Sequence, residues 1–91
     1  MIITDHAYEK AKERLGLKKH SFDKMAFQAL EKGKKHSECK GSLKRYATKL
    51  WFDYKTCNNI RFYNLNIFFF IDDKLITVYG CPKKYHRHLK N

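Results

Sequence analysis

Acidic side chains are scarce in this chain: 9 Asp and Glu stand against 20 Lys and Arg over 91 residues, a formal charge of +11. That imbalance speaks to partners and solubility, not to fold, and it directs the chain towards anionic surfaces. Long apolar runs are also missing. The longest, Ile67 to Ile71, has the length of a buried strand and falls well short of the roughly 20 residues a membrane-spanning helix needs, so no membrane partner is expected. Met1 to His6 lacks a basic region followed by an apolar stretch. No signal peptide is expected, and a cytoplasmic location is the default. Cys39, Cys57 and Cys81 are odd in number and share no motif spacing, which argues against a disulfide framework and fits reduced thiols. His36 and Cys39 make a lone His-x-x-Cys with no second pair at ligand spacing, so neither a metal nor another cofactor is expected. Repeats, linkers and low-complexity stretches are absent, which predicts one domain over residues 1–91. Its last part, 81–91, is a basic C-terminal tail.

What the chain has is rings: seven Phe, six Tyr and one Trp, each able to bury a large area and offset the entropy of ordering a short chain. Thr4 or Asp5 can cap a first helix over His6 to Leu15, which Gly16 ends. Ala7, Ala11 and Leu15 share its shallow apolar stripe, and His6, Lys10 and Arg14 line the stripe beside it. A second helix is predicted from Ser21 to Lys32, its apolar face made by Phe22, Met25, Ala26, Ala29 and Leu30. Lys34 to Gly41 has no periodicity and reads as a cationic loop, and Ser42 can cap a short third helix ending near Lys49.

From Leu50 the period shifts towards two. Leu50, Phe52 and Tyr54 alternate with Trp51 and Asp53, which predicts a strand, followed by strands at Ile60 to Tyr63, Ile67 to Ile71 and Leu75 to Tyr79. Connections this short favour antiparallel neighbours. The expected fold is α+β: two or three N-terminal helices packed on a four-stranded antiparallel meander sheet. Strict alternation turns Ile60, Phe62, Ile76 and Val78 towards the helices and leaves Arg61, Tyr63, Thr77 and Tyr79 on an open face.

Cations for phosphates and rings for bases point to RNA, or another polyanion, as the partner. On the open face Arg61 can hold phosphate, Tyr63 can stack a base, and Thr77 lies beside them. Lys40 and Lys44, in and after the cationic loop, are further phosphate ligands. Lys83, Lys84 and His86 of the tail form a mobile basic extension that raises affinity without specificity. His36 is an imidazole among cations, where neighbouring positive charge favours the neutral form that a catalytic base requires.

Ile3-Thr4-Asp5-His6-Ala7 with Glu13-Arg14-Leu15-Gly16 resembles the start of small bacterial and phage domains in the superfamily that groups barnase, EndoU, colicin and RelE nucleases. Leu75-Ile76-Thr77-Val78-Tyr79 resembles their last strand. The resemblance implies a metal-independent, toxin-like ribonuclease in which a 2′-hydroxyl attacks the neighbouring phosphate, with a base, an acid and cations for the developing charge. His6 and Arg14 are the catalytic positions it carries over, with Thr77 a third. Lys10 stands where such domains often have arginine, which keeps the charge and loses the bidentate fork. An antitoxin or a host defence protein is the protein partner implied. The alternative on the same fold is a non-catalytic phage protein that inhibits a host nucleoprotein or a nucleotide-signalling defence system.

Overall fold

The computed structural model describes residues 1–89. Helix α1, Asp5–Leu15, starts where expected because the Thr4 hydroxyl accepts the amide of Ala7 at 3.1 Å, and it stops at Gly16, whose φ of 65° suits glycine. Helix α2, Lys19–Lys32, begins two residues ahead of Ser21 and has no side-chain cap at Lys18. The chain then passes a short 3-10 turn, His36–Glu38, into α3, Gly41–Asp53. Strands β2, Asn59–Tyr63, β3, Asn66–Ile71, and β4, Lys74–Gly80, follow, then a 3-10 turn at Lys83–Tyr85 and the short helix α4, His86–Leu89.

The α+β class holds, but two parts of the expected architecture need correction. Leu50 to Tyr54 do not form a strand: α3 continues to Asp53. Leu43, Ala47 and Leu50 are its buried residues, a helical spacing that outweighs the local alternation. The fourth strand is instead β1, Ile2–Ile3, which pairs parallel with β4 through Ile2↔Lys74 and Ile3↔Leu75. The sheet, ordered β1-β4-β3-β2, is therefore mixed and not an antiparallel meander. Asn64 and Leu65, both at positive φ, turn β2 into β3, the backbone of a tight hairpin.

The open face does not exist either, because helices cover both sides of the sheet. On one side α1 and α2 pack Ala7, Ala11, Phe22, Ala26 and Ala29 onto Phe68, Phe70, Leu75 and Val78. On the other, Leu43, Ala47 and Leu50 of α3 meet Ile60, Phe62, Ile67 and Phe69. Phe68, Phe69 and Phe70 are all fully buried, each worth about 1.5–3 kcal/mol of burial. The register explains why the predicted faces fail. Phe70 pairs with Leu75 but Phe69 with Thr77, so Ile76 is an extra, bulged residue that resets the alternation. Leu75 and Val78 thus share the α1–α2 side, whereas Ile60 and Phe62 lie on the α3 side.

Gly33 joins α2 to this sheet at a close approach: a Cβ there would lie 2.5 Å from the Ala29 carbonyl oxygen and 2.9 Å from the Arg61 Cβ. Among the described residues no helix is long and apolar enough to cross a membrane.

Candidate nucleic-acid interface

Strand β1 covers only the start of β4, so from Ile76 onward β4 is an edge. Its outward carbonyls are taken by side chains from the α1 segment. The Thr4 hydroxyl donates to the Ile76 carbonyl at 3.2 Å, and Arg14 Nη1 donates to the Val78 carbonyl at 3.0 Å and to the Thr77 hydroxyl at 3.3 Å. The Arg14 guanidinium carbon sits 3.8 Å from the centre of the Tyr79 ring, a cation–π contact. Only Nη1 is spent on these acceptors. Among the described residues the guanidinium bonds besides these only the Tyr79 phenol, so the fork keeps donors to spare for a phosphate. Arg14 is anchored and also exposed.

Beside it two phenols are driven apart. Tyr54 and Tyr79 pack around Phe69, with ring centres 4.4 Å and 5.7 Å from it. The hydrogen bond from Tyr54 to Tyr79, followed by burial, raises Tyr54 to about 12. The same bond, followed by the charge of Arg14 against an opposing cost of burial, lowers Tyr79 below its ordinary value. Lys10 adds to that lowering while its ammonium pairs with Glu13 at 3.0 Å. Glu13 is held below the usual carboxylate range, first by the hydrogen bond from Lys10 and then by its charge. His6, at the far end of the stripe, is exposed and makes no hydrogen bond among the described residues.

His36 is built differently. The Thr48 hydroxyl donates to the Lys44 carbonyl at 2.9 Å, so its 2.9 Å bond to His36 Nε2 must be donated by the ring. That choice leaves Nδ1 as an acceptor, and the Lys44 ammonium lies 3.4 Å from it. Burial and then the Lys44 charge lower the His36 pKa. Both ring nitrogens are engaged, and the indole of Trp51 lies 5.6 Å from the ring.

The remaining candidates are dispersed. Arg61 lies on β2, the edge opposite α1, where Nε donates to Asn59 Oδ1 at 2.8 Å and Nη1 to the Gly33 carbonyl at 3.1 Å. β3 stands between it and β4, so about 10 Å of sheet separates its strand from β4, which Arg14 contacts. The Tyr63 hydroxyl donates to Gln28 Oε1 at 2.9 Å. Thr77 is buried, and its hydroxyl accepts from Arg14. Lys40 is exposed just before α3. Lys83 and Lys84 are exposed as well, with the Lys84 ammonium 5.3 Å from the Tyr85 ring centre. The segment expected to be mobile is folded onto α3 as far as Leu89: Tyr85 stacks on Tyr46 at 4.5 Å, and His86 Nε2 donates to the Cys81 carbonyl at 2.7 Å. The last two positions of the 81–91 tail lie outside the described residues.

Arg14, Thr77 and Lys10 therefore belong to one neighbourhood, joined by Tyr79 and Tyr54. Alternation does put Tyr79 on the side of Thr77, but Tyr54 carries no such signal, because it lies just past a helix that reads locally as a strand. No group of three or more His, Cys, Asp or Glu that could hold a metal occurs among the described residues. Comparisons with protein-family models, curated proteins and solved structures give no match to this chain, which leaves its own side chains to indicate what it does.

Proposed function

We propose that this domain binds RNA along the α1–β4 edge and cleaves it at the Arg14–Tyr79 cluster by the metal-independent route of the barnase, EndoU, colicin and RelE nucleases it resembles. The observation that carries this reading is an exposed arginine fixed by Nη1 to Thr77 and Val78, with donors of its fork to spare, over a phenol of lowered pKa. Tyr79, as phenolate, takes the proton of the 2′-hydroxyl. The 2′-oxygen then bonds to phosphorus, and the developing charge is met by Arg14. The bond to the 5′-oxygen breaks with a proton from Lys10, leaving a 2′,3′-cyclic phosphate and a 5′-hydroxyl. His6 lies two helical turns from Arg14, about 12 Å along the axis. Its role in this scheme is to hold a neighbouring phosphate.

Cleavage of a labelled RNA in chelator tests the proposal. Arg14→Ala and Tyr79→Phe should each lose about 100-fold or more in rate, measured well below the melting temperature of each folded variant. Wild-type rates in both would sink it. The second reading, a non-catalytic phage protein that occupies a host nucleoprotein or nucleotide-signalling defence protein, is favoured by one observation: the Lys10 ammonium is already paired with Glu13. Salt-sensitive binding of RNA or of such a protein without scission would support it over the enzyme.

A further inference from the structure

A second basic concavity lies at the other edge of the sheet, where the end of α2, the start of α3, the β2–β3 turn and α4 meet. It encloses about 740 Å³, and Lys32, Lys34, Lys40 and Arg87 line it. The acid in its wall, Glu38, is turned to local use, since its carboxylate accepts the Lys35 amide at 2.8 Å. None of the three ion pairs among the described residues involves a lysine of this groove. One carboxylate among four cations leaves a net positive charge, and a bound anion relieves the remaining repulsion.

The groove is built rather than incidental. Lys34 is paired on both sides with Phe62, its amide to the Phe62 carbonyl at 2.8 Å and the Phe62 amide to its carbonyl at 2.9 Å. Its root is thereby held on the sheet, and its ammonium reaches the His88 carbonyl at 3.2 Å. Ser42 Oγ meets His88 Nε2 at 3.1 Å. These two contacts hold α4 across the groove. Opposite lie Tyr63 and, next to it, Asn64, whose amide makes no hydrogen bond among the described residues. An amide for a base edge and several cations for phosphates make up the equipment for a nucleotide.

We propose that this groove binds a phosphorylated nucleotide, either the 5′-phosphate end of an RNA strand or a free nucleotide, at a site distinct from the α1–β4 edge. It stands whether or not that edge cleaves RNA. The test titrates the full chain with three probes: a 5′-phosphorylated tetraribonucleotide, the same oligomer with a 5′-hydroxyl, and adenosine diphosphate. The proposal expects the 5′-phosphate to tighten binding about tenfold or more. Lys32→Gln with Lys40→Gln should remove that gain and reduce the logarithmic salt slope by about 1.4, while Lys55→Gln, at an exposed position outside both sites, leaves the gain in place. Tight binding of adenosine diphosphate, lost in the same double variant, supports the free nucleotide as the source. Equal affinity for the 5′-phosphate and 5′-hydroxyl forms, together with no lysine-dependent binding of adenosine diphosphate, overturns the site. Cleavage of a dinucleotide, read in parallel, reports on Arg14, Tyr79 and Lys10 at the other edge, so failure of one reading is not mistaken for failure of the other.

Discussion

Arg14 and His36 both sit among lysines, and both are candidates for phosphate chemistry, yet their surroundings treat them in opposite ways. At the α1–β4 edge the protein anchors Arg14 through Nη1 and leaves it, among the described residues, with donors to spare. At the corner of α3 it takes up both ring nitrogens of His36, one with Thr48 and the other with Lys44. Similar local charge thus hides different availability. A cation or an imidazole is functional in the measure that its donors and acceptors are left over once the fold has been served.

The widest separation between the two regions should appear in turnover. Arg14→Ala should reduce RNA cleavage in chelator by about 100-fold or more, and His36→Ala should leave it within about threefold. A large loss in His36→Ala at unchanged stability would reverse the assignment of the two. Next comes folding stability. Thr48→Val keeps the shape but removes the acceptor of His36 and should cost about 1 kcal/mol in denaturant unfolding, with cleavage untouched.

Titration separates the regions by sign. The lowered pKa of folded His36 means that the unfolded chain binds its proton first as pH falls below the ordinary 6.5. Stability from this residue is therefore present above that value and lost on acidification. His36→Gln should flatten the dependence of melting temperature on pH between 7 and 5. Tyr79, in contrast, should make cleavage rise towards alkaline pH with an apparent pKa below its ordinary 10. Arg14→Gln should move that limb upward, since Arg14 helps to lower Tyr79. The smallest effect belongs to Glu13. Glu13→Gln frees the Lys10 ammonium and should tighten RNA binding about two- to threefold at low salt, the scale of an exposed ion pair. Weaker binding would show that Glu13 orients Lys10 rather than competing for it.

Much of the local structure is legible in the chain. Thr4 and Gly16 bracket α1, the spacing of Phe22, Ala26 and Ala29 marks the buried side of α2, and the turn residues near Asn64 and Asp72 bound β3. The stripe of His6, Lys10 and Arg14 follows from helical geometry alone. Leu50 to Tyr54 misleads because alternating large residues satisfy a strand pattern as well as the end of an amphipathic helix, and only the packing of Leu50 with Leu43 and Ala47 separates the two. Ile2 and Ile3 are too short a run to announce a strand, and their partner, β4, lies some seventy residues away in sequence. The bulge at Ile76 has no local signature, yet it brings Leu75 to the side of Val78, and the cross-strand register sets both opposite Ile60 and Phe62.

The one-dimensional pattern suffices for the charge, the helix caps and the order of most elements, since these depend on neighbours within a turn or a hairpin. Which cations are wired and which are available was settled in three dimensions. Arg14 meets Thr77, Val78 and Tyr79 across more than sixty residues of chain, and Lys34 meets His88 across a similar gap. Contacts at that separation form only when α1 is laid on β4 and the C-terminal segment is folded back over α3. A hydrogen bond spent on a distant carbonyl leaves no mark in the residues beside it.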